Sequence, residues 1–143
     1  MPLTDPGPDP LQSLNIDSVI RFILSLQKKD GDIPWHDNGK TDPWDLVETI
    51  MGLNIGGQFE ASEKAFRWLE KKQNPDGSWF SAYMDGKPQD RTRETHMAAY
   101  LAVGLFHFWL CTGKTDFLDR MWPVMERGMD YSISLQTATG QVY

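Results

Sequence analysis

The pattern Gln-x-x-x-Gly occurs three times in the chain, at Gln27 with Gly31, Gln73 with Gly77, and Gln136 with Gly140. An aromatic residue stands five positions before each Gln, as Phe22, Trp68 and Tyr131, and another follows each Gly, as Trp35, Trp79 and Tyr143. The flanks repeat together with the core of the pattern, which makes tandem units the natural reading. Such units bury their apolar faces against one another, so the chain is constrained to stack them side by side. The first two units lie 46 residues apart and the next two 63, which places an insertion of about seventeen residues in the polar stretch Phe80 to Arg93.

Between the repeats the periodicity is helical. Asp17–Gln27 and Ala61–Lys72 carry their apolar residues on one stripe with charges opposite, as surface helices do. Pro43–Ile55 and Arg93–Thr112 are apolar around most of their circumference, as buried helices are. Outer and inner helices therefore alternate, and a fifth is expected over Asp116–Leu135, offset or kinked at Pro123. Asp42 and Pro43 form a helix start, with Asp45 near the positive end of the dipole, and Thr92 is placed to cap the second inner helix. No strand alternation of useful length is seen. The fold class is all-α.

A Gln side chain carries a donor and an acceptor on an arm long enough to satisfy backbone groups that helix ends leave unpaired. The Gly after it permits a positive φ, and the aromatic beyond can lie over the Gln amide. Gln27, Gln73 and Gln136 are accordingly read as structural, with Gly31, Gly77, Gly140 and Trp79. Asn74-Pro75-Asp76-Gly77 is also a strong turn sequence.

At 143 residues the chain is one domain, preceded by a Pro-rich tail over residues 1–15 with Pro at 2, 6, 8 and 10, expected to be disordered. Its formal charge of −6 and its lack of long basic clusters argue against a nucleic-acid partner. The longest apolar run, Met97 to Cys111, is too short to span a bilayer. A single cysteine, Cys111, agrees with a reducing compartment, and a cytoplasmic location is expected.

Lys64-Ala65-x-x-Trp68-Leu69-x-x-x-Gln73-x-x-x-Gly77-x-Trp79 resembles the QW motif of the terpene cyclase and prenyltransferase superfamily at every defined position. Arg127-Gly128-x-x-Tyr131-Ser132-x-x-x-Gln136-x-x-x-Gly140 is similar except at Ser132, and the first copy lacks the leading basic and small pair. The resemblance implies an α/α toroid of paired inner and outer helices around a cavity holding an apolar isoprenoid. This chain would supply about two and a half pairs over residues 16–143. Either further repeats complete the ring, or a second copy or another polypeptide covers the open edge.

The acid and metal motifs of that superfamily, Asp-x-Asp-Asp and Asp-Asp-x-x-Asp, do not occur, and Asp30-Gly31-Asp32 is only two carboxylates in a turn. His107 and Cys111 share a helix face at i and i+4, a spacing open to a metal or to simple packing. No cofactor or metal is expected. Toroid cavities open near inner-helix N-termini, which gathers Trp35, His36, Asp37, Asp42, Asp45 and Glu48 at one rim with Asp90, Arg93, Glu94 and His96. There His36, Asp37, Glu48, Arg93 and His96 are candidates for acid/base and anion-handling chemistry. Trp35, Trp44, Tyr100 and His107 are candidates for substrate contact. Helix capping and solvated first turns account for several of the same residues.

Three functions follow as expectations. The first is a prenyltransferase or cyclase-like protein acting on an isoprenoid. The second is a non-catalytic toroid fragment serving as an assembly module. The third is a carbohydrate-active toroid that uses rim carboxylates, such as Asp37 and Glu48, with exposed Trp.

Overall fold

The computed structural model describes residues 15–142, so the Pro-rich tail up to residue 14 and the third expected aromatic, Tyr143, lie outside the described residues. The chain forms five helices: α1 (Ile16–Leu26), α2 (Pro43–Ile55), α3 (Phe59–Lys72), α4 (Thr95–Thr112) and α5 (Thr115–Ser134). A two-stranded antiparallel ribbon, β1 (Ala82–Met84) and β2 (Lys87–Asp90), sits between α3 and α4. The class is all-α: the apolar α2 and α4 pack on each other as inner helices, with α3 on α2, α5 on α4 and α1 beside α2 as the outer ones.

The layers meet over Leu46, Ile50, Leu53, Phe66, Trp68, Leu69, Leu101, Leu105, Phe108 and Met121, all buried. Each such side chain contributes about 1.5–3 kcal/mol relative to exposure, which is why the apolar inner helices stay inside. The inner helices approach closely at Gly104, where an added Cβ would lie 2.6 Å from Val47 Cγ1. Asn15 caps α1 through Ser18 N–H at 3.0 Å. Asp42 caps α2, accepting from the N–H groups of Trp44 and Asp45 at 2.8 and 3.2 Å.

The repeat turns are what register one outer helix against the next. Gln27 Nε2 donates to Ala61 O of α3 at 2.9 Å, and Gln73 Nε2 donates to Val124 O of α5 at 2.8 Å and to Gly77 O at 3.1 Å. Arg127 Nε and Nη2 in turn donate to Gln73 Oε1 at 3.0 and 2.6 Å. Gly31 lies against Lys64 O and Gly77 against Arg127 O, so tightly that a Cβ at either would stand 2.1 Å from that oxygen. These contacts explain the basic and small pair of the motif: Lys64-Ala65 and Arg127-Gly128 are where the preceding turn lands. The glutamines therefore reach carbonyls inside the neighbouring helices, using a second lone pair, and not unpaired helix ends. At Ser132, the hydroxyl donates to Thr95 O of α4 at 2.9 Å, so this departure from the motif ties the two layers.

Several expectations are corrected. The insertion is not featureless: it forms the ribbon, closed by Asp85 and Gly86 at φ 48 and 69, a pair of positive angles suited to a tight hairpin. Trp79 is buried, and its indole N–H donates to Leu69 O at 2.8 Å. Thr92 does not cap α4. Glu94 holds the cap position without a side-chain cap bond, and the Thr92 carbonyl instead accepts from Ser81 N–H and Oγ–H. Helix α5 runs through Pro123, close to the bounds expected for it.

Candidate functional site

The rim is built from a loop and two helix starts. Asp32, buried, accepts from Thr41 Oγ1 and pairs with Lys28 Nζ at 3.1 Å. Thr41 exchanges backbone bonds with Tyr83 of β1, at 2.8 and 2.9 Å. Both ends of the loop between them are thereby anchored, and its middle, residues 35–38, is exposed. Trp35 N–H donates to Lys40 O at 2.9 Å, and the Lys40 ammonium lies 4.1 Å from the centre of the Trp35 ring. Trp35 is 50% exposed.

One turn further along, Trp44 stacks on Tyr100 of α4 at 4.0 Å between centroids and 5° between planes. Glu48 Oε1 accepts from Trp44 Nε1 at 2.9 Å and from Tyr100 Oη at 3.2 Å. His96 meets the Trp44 ring edge-on at 4.8 Å and places Nε2 3.3 Å from Glu94 Oε2. Spacings of four residues, Trp44 with Glu48 and His96 with Tyr100, put each pair on one helix face. An open cleft of about 420 Å³ borders the cluster, lined by Arg93, Glu94, Thr95, His96 and Val142.

The electrostatics separate the carboxylates. Burial raises the Asp45 carboxyl above the usual carboxylate value, and the negative charges of Asp42 and Glu48 raise it further, outweighing the opposite influence of Trp35 and the Lys40 charge. Burial, the hydrogen bond to Glu48 and the charge of Glu48 raise the Tyr100 phenol, so it stays a donor. Glu48 thus has one oxygen held by two neutral donors, with the raised carboxyl of Asp45 three residues before it on α2.

Of the sequence candidates, the structure brings Trp35, Trp44, Glu48, His96 and Tyr100 to this rim. His36 and Asp37 stand exposed on the same loop, where His36 Nδ1 lies 2.9 Å from Asp37 O. Arg93 borders the cleft but pairs with Asp76 at 2.6 Å, and its carbonyl accepts from Tyr131 Oη at 3.2 Å. His107 lies two turns down α4 from Tyr100, roughly 10 Å along the axis, with Nδ1 3.2 Å from Asn54 Nδ2 and 3.9 Å from Cys111 Sγ. Among the described residues no group of three or more His, Cys, Asp or Glu side chains comes together to hold a metal ion, and no helix is long and apolar enough to cross a membrane.

Sequence reasoning assigned Asp45 to the helix start and so passed over it. Asp42 does the capping, which leaves the Asp45 side chain to the loop. The signal lay in the spacing Asp42, Asp45, Glu48, which sets three carboxylates along one face of the first two turns.

No family model matches the chain. It is 38% identical over 120 residues to the MMP endo-(1,4)-3-O-methyl-alpha-D-mannosidase of Mycolicibacterium hassiacum, covering 84% of this chain and 33% of that protein. It is 27% identical over 82 residues to the uncharacterized glycosyl hydrolase MJ1610 of Methanocaldococcus jannaschii, covering 57% of this chain and 13% of the relative. The chain therefore spans about a third of the first relative's length and a smaller part of the second's. Both names point to carbohydrate, and they overturn the resemblance to the terpene cyclase and prenyltransferase superfamily together with its apolar isoprenoid substrate and transferase activity. The physical reason is visible in the fold. The residues that carry the resemblance register the outer helices, and Gln27, Gln73, Lys64 and Arg127 make their contacts within that wall.

Proposed function

We propose that the chain forms the carboxylate-bearing rim of a carbohydrate-cleaving helical toroid, acting on α-linked mannose-type oligosaccharides. This reading is supported by the Glu48 carboxylate, held by Trp44 and Tyr100, one turn along α2 from Asp45, whose carboxyl burial and the charges of Asp42 and Glu48 raise above its ordinary value. Glycosidic cleavage needs one carboxyl that still carries a proton for the leaving oxygen and another that is ionised. Asp45 takes the first role. It protonates the glycosidic oxygen as the bond from that oxygen to the anomeric carbon breaks, and water supplies the replacing oxygen. Glu48 accepts from the water or from a sugar hydroxyl. Trp35 and Trp44 offer aromatic surface, while His96 and Arg93 at the cleft, and His36 and Asp37 on the exposed loop, offer polar contacts for hydroxyl groups. The names of the two relatives support the substrate class. A cytoplasmic setting belongs to the same reading, since Cys111 is an exposed free thiol of the kind a reducing compartment maintains.

The test uses α-(1,4)-linked mannose oligosaccharides with and without 3-O-methyl groups, following tryptophan fluorescence for binding and reducing ends for cleavage. The parent is expected to bind and cleave, and Asp45→Asn to bind within a few-fold while cleaving about 10²–10⁴-fold more slowly. A parent that neither binds nor cleaves these sugars, or an Asp45→Asn variant as fast as the parent, would refute the proposal.

A further inference from the structure

The three repeat turns are built alike. Lys28 N–H donates to Asp32 O at 2.8 Å and Gly31 N–H to Lys28 O at 3.0 Å; Asn74 and Gly77 make the matching bonds at 2.8 and 2.9 Å, and Thr137 and Gly140 at 2.7 and 2.9 Å. The glycines stand at φ 104, 89 and 85. The first two turns are occupied. Gln27 and Gln73 each donate across to a carbonyl of the next outer helix, and Gly31 and Gly77 are buried against the carbonyl of a basic residue in that helix, Lys64 or Arg127. The third is open. Among the described residues Gln136 Nε2 has Gly140 O at 2.8 Å and no carbonyl beyond that turn, and a Cβ on Gly140 would meet within 4 Å only Gln136 Nε2, at 3.7 Å. The inner layer shows an edge on the same side. Tyr100, Gly104 and His107 face α2. At about 100° per residue, Ala99, Ala102, Phe106 and Trp109 form a stripe of α4 turned away from α2. Along it Phe106 is 58% and Trp109 37% exposed, with their rings stacked at 6.1 Å.

We propose that the third turn and this stripe together seat a further helical pair, whose outer helix carries a basic residue followed by a small one and whose inner helix lies along α4. The basic residue of the outer helix brings its main-chain carbonyl against Gly140 and its side chain to Gln136 Oε1, as Arg127 does at Gly77 and Gln73. The carbonyl three residues before it accepts from Gln136 Nε2, in the place that Ala61 and Val124 hold at the other turns. Taking the Phe106 and Trp109 rings out of water drives the inner contact. The Mycolicibacterium relative has length for such pairs, since the shared stretch is 33% of it. A second copy of this chain fits less well, because α1 has Ser18 and Val19 where α3 has Lys64 and Ala65, counted back from Gln27 and Gln73. Val142, two residues after Gly140, lines the cleft beside His96, so the docked pair also walls the candidate site.

The test appends a pair of known sequence: residues 32–143 of a second copy follow Gly140 directly, so that Lys64 and Ala65 of the added unit meet the third turn as they meet the first. Urea unfolding compares this extended chain with the parent. In the parent, Gly140→Ala is expected to lower the midpoint no more than Gly57→Ala does, and Phe106→Asp to move it less than that. In the extended chain, with the same changes made in the first copy, the Gly140→Ala shift is expected to grow at least about twofold, and Phe106→Asp to lower the midpoint clearly. A Gly140→Ala shift equal in the two chains overturns the outer seat, and an equal Phe106→Asp shift overturns the inner one. Light scattering of the parent tests the other occupant: a dimer that Gly140→Ala dissociates assigns the seat to a second copy and overturns the further helical pair.

Discussion

Replacing Gly77 by Ala tests whether the repeat turns hold the wall together. Gly77 has φ +89, and a Cβ there would stand 2.1 Å from Arg127 O and 2.6 Å from its carbonyl carbon. The left-handed backbone alone costs an alanine about 1–2 kcal/mol. The collision is with helix backbone, so α5 must move away from the turn. That displacement stretches the bonds from Gln73 Nε2 to Val124 O and from Arg127 to Gln73 Oε1. Overpacking of this kind costs about 1–3 kcal/mol and each of the three weakened bonds up to about 1, giving roughly 2–8 kcal/mol in total. Gly57 supplies the control, because it has φ +69 but nothing within 4 Å of an added Cβ, so Gly57→Ala should cost only about 1–2 kcal/mol. Urea unfolding followed by tryptophan fluorescence measures both. Equal losses for the two variants, within about 0.5 kcal/mol, would refute the claim that backbone contact at the turn registers the helices. Gly31→Ala, facing Lys64 O at the same 2.1 Å, should behave as Gly77→Ala does.

Asp32→Ala leaves Thr41 Oγ1 and Lys28 without their buried acceptor and should cost about 3 kcal/mol in calorimetry, with the loop that carries Trp35 losing its anchor. For Asp76, burial raises the carboxyl, but the bonds from Ser78 Oγ–H and N–H and the charge and bond of Arg93 outweigh it and hold the group below its ordinary 3.8. A carboxyl lowered in the folded state stabilises when ionised, so its contribution is present above the ordinary value and is lost as pH falls through the folded one. Asp76→Asn should therefore flatten the dependence of melting temperature on pH below about 4, and an unchanged slope would contradict that assignment.

The repeat, the alternation of inner and outer helices and the Asp42 cap were legible because each depends on residues near in sequence. The partners of Trp79 were not legible for the opposite reason: its packing depends on where α5 comes to rest, beside Gly128. The ribbon escaped notice because its short, polar second strand shows no alternation, and its pairing is sustained by Thr41 and Lys72 from elsewhere in the chain. At the site, the gathering of Trp44, Glu48, His96 and Tyr100 follows from the helix starts that the sequence predicts. The standing of Asp45 does not, since its raised carboxyl comes first from burial, which leaves no pattern in the sequence.

The backbone seating of Gly31 and Gly77 has an evolutionary consequence. Where neighbouring segments are keyed by main-chain atoms, the side chains facing the hollow interior are released from the task of holding the frame. They can be exchanged one at a time, oily for polar, without disturbing its pitch. A scaffold of this kind advertises its masonry in the primary structure and keeps silent about its cargo, so kinship read from the masonry alone can attach the wrong guest to the right house.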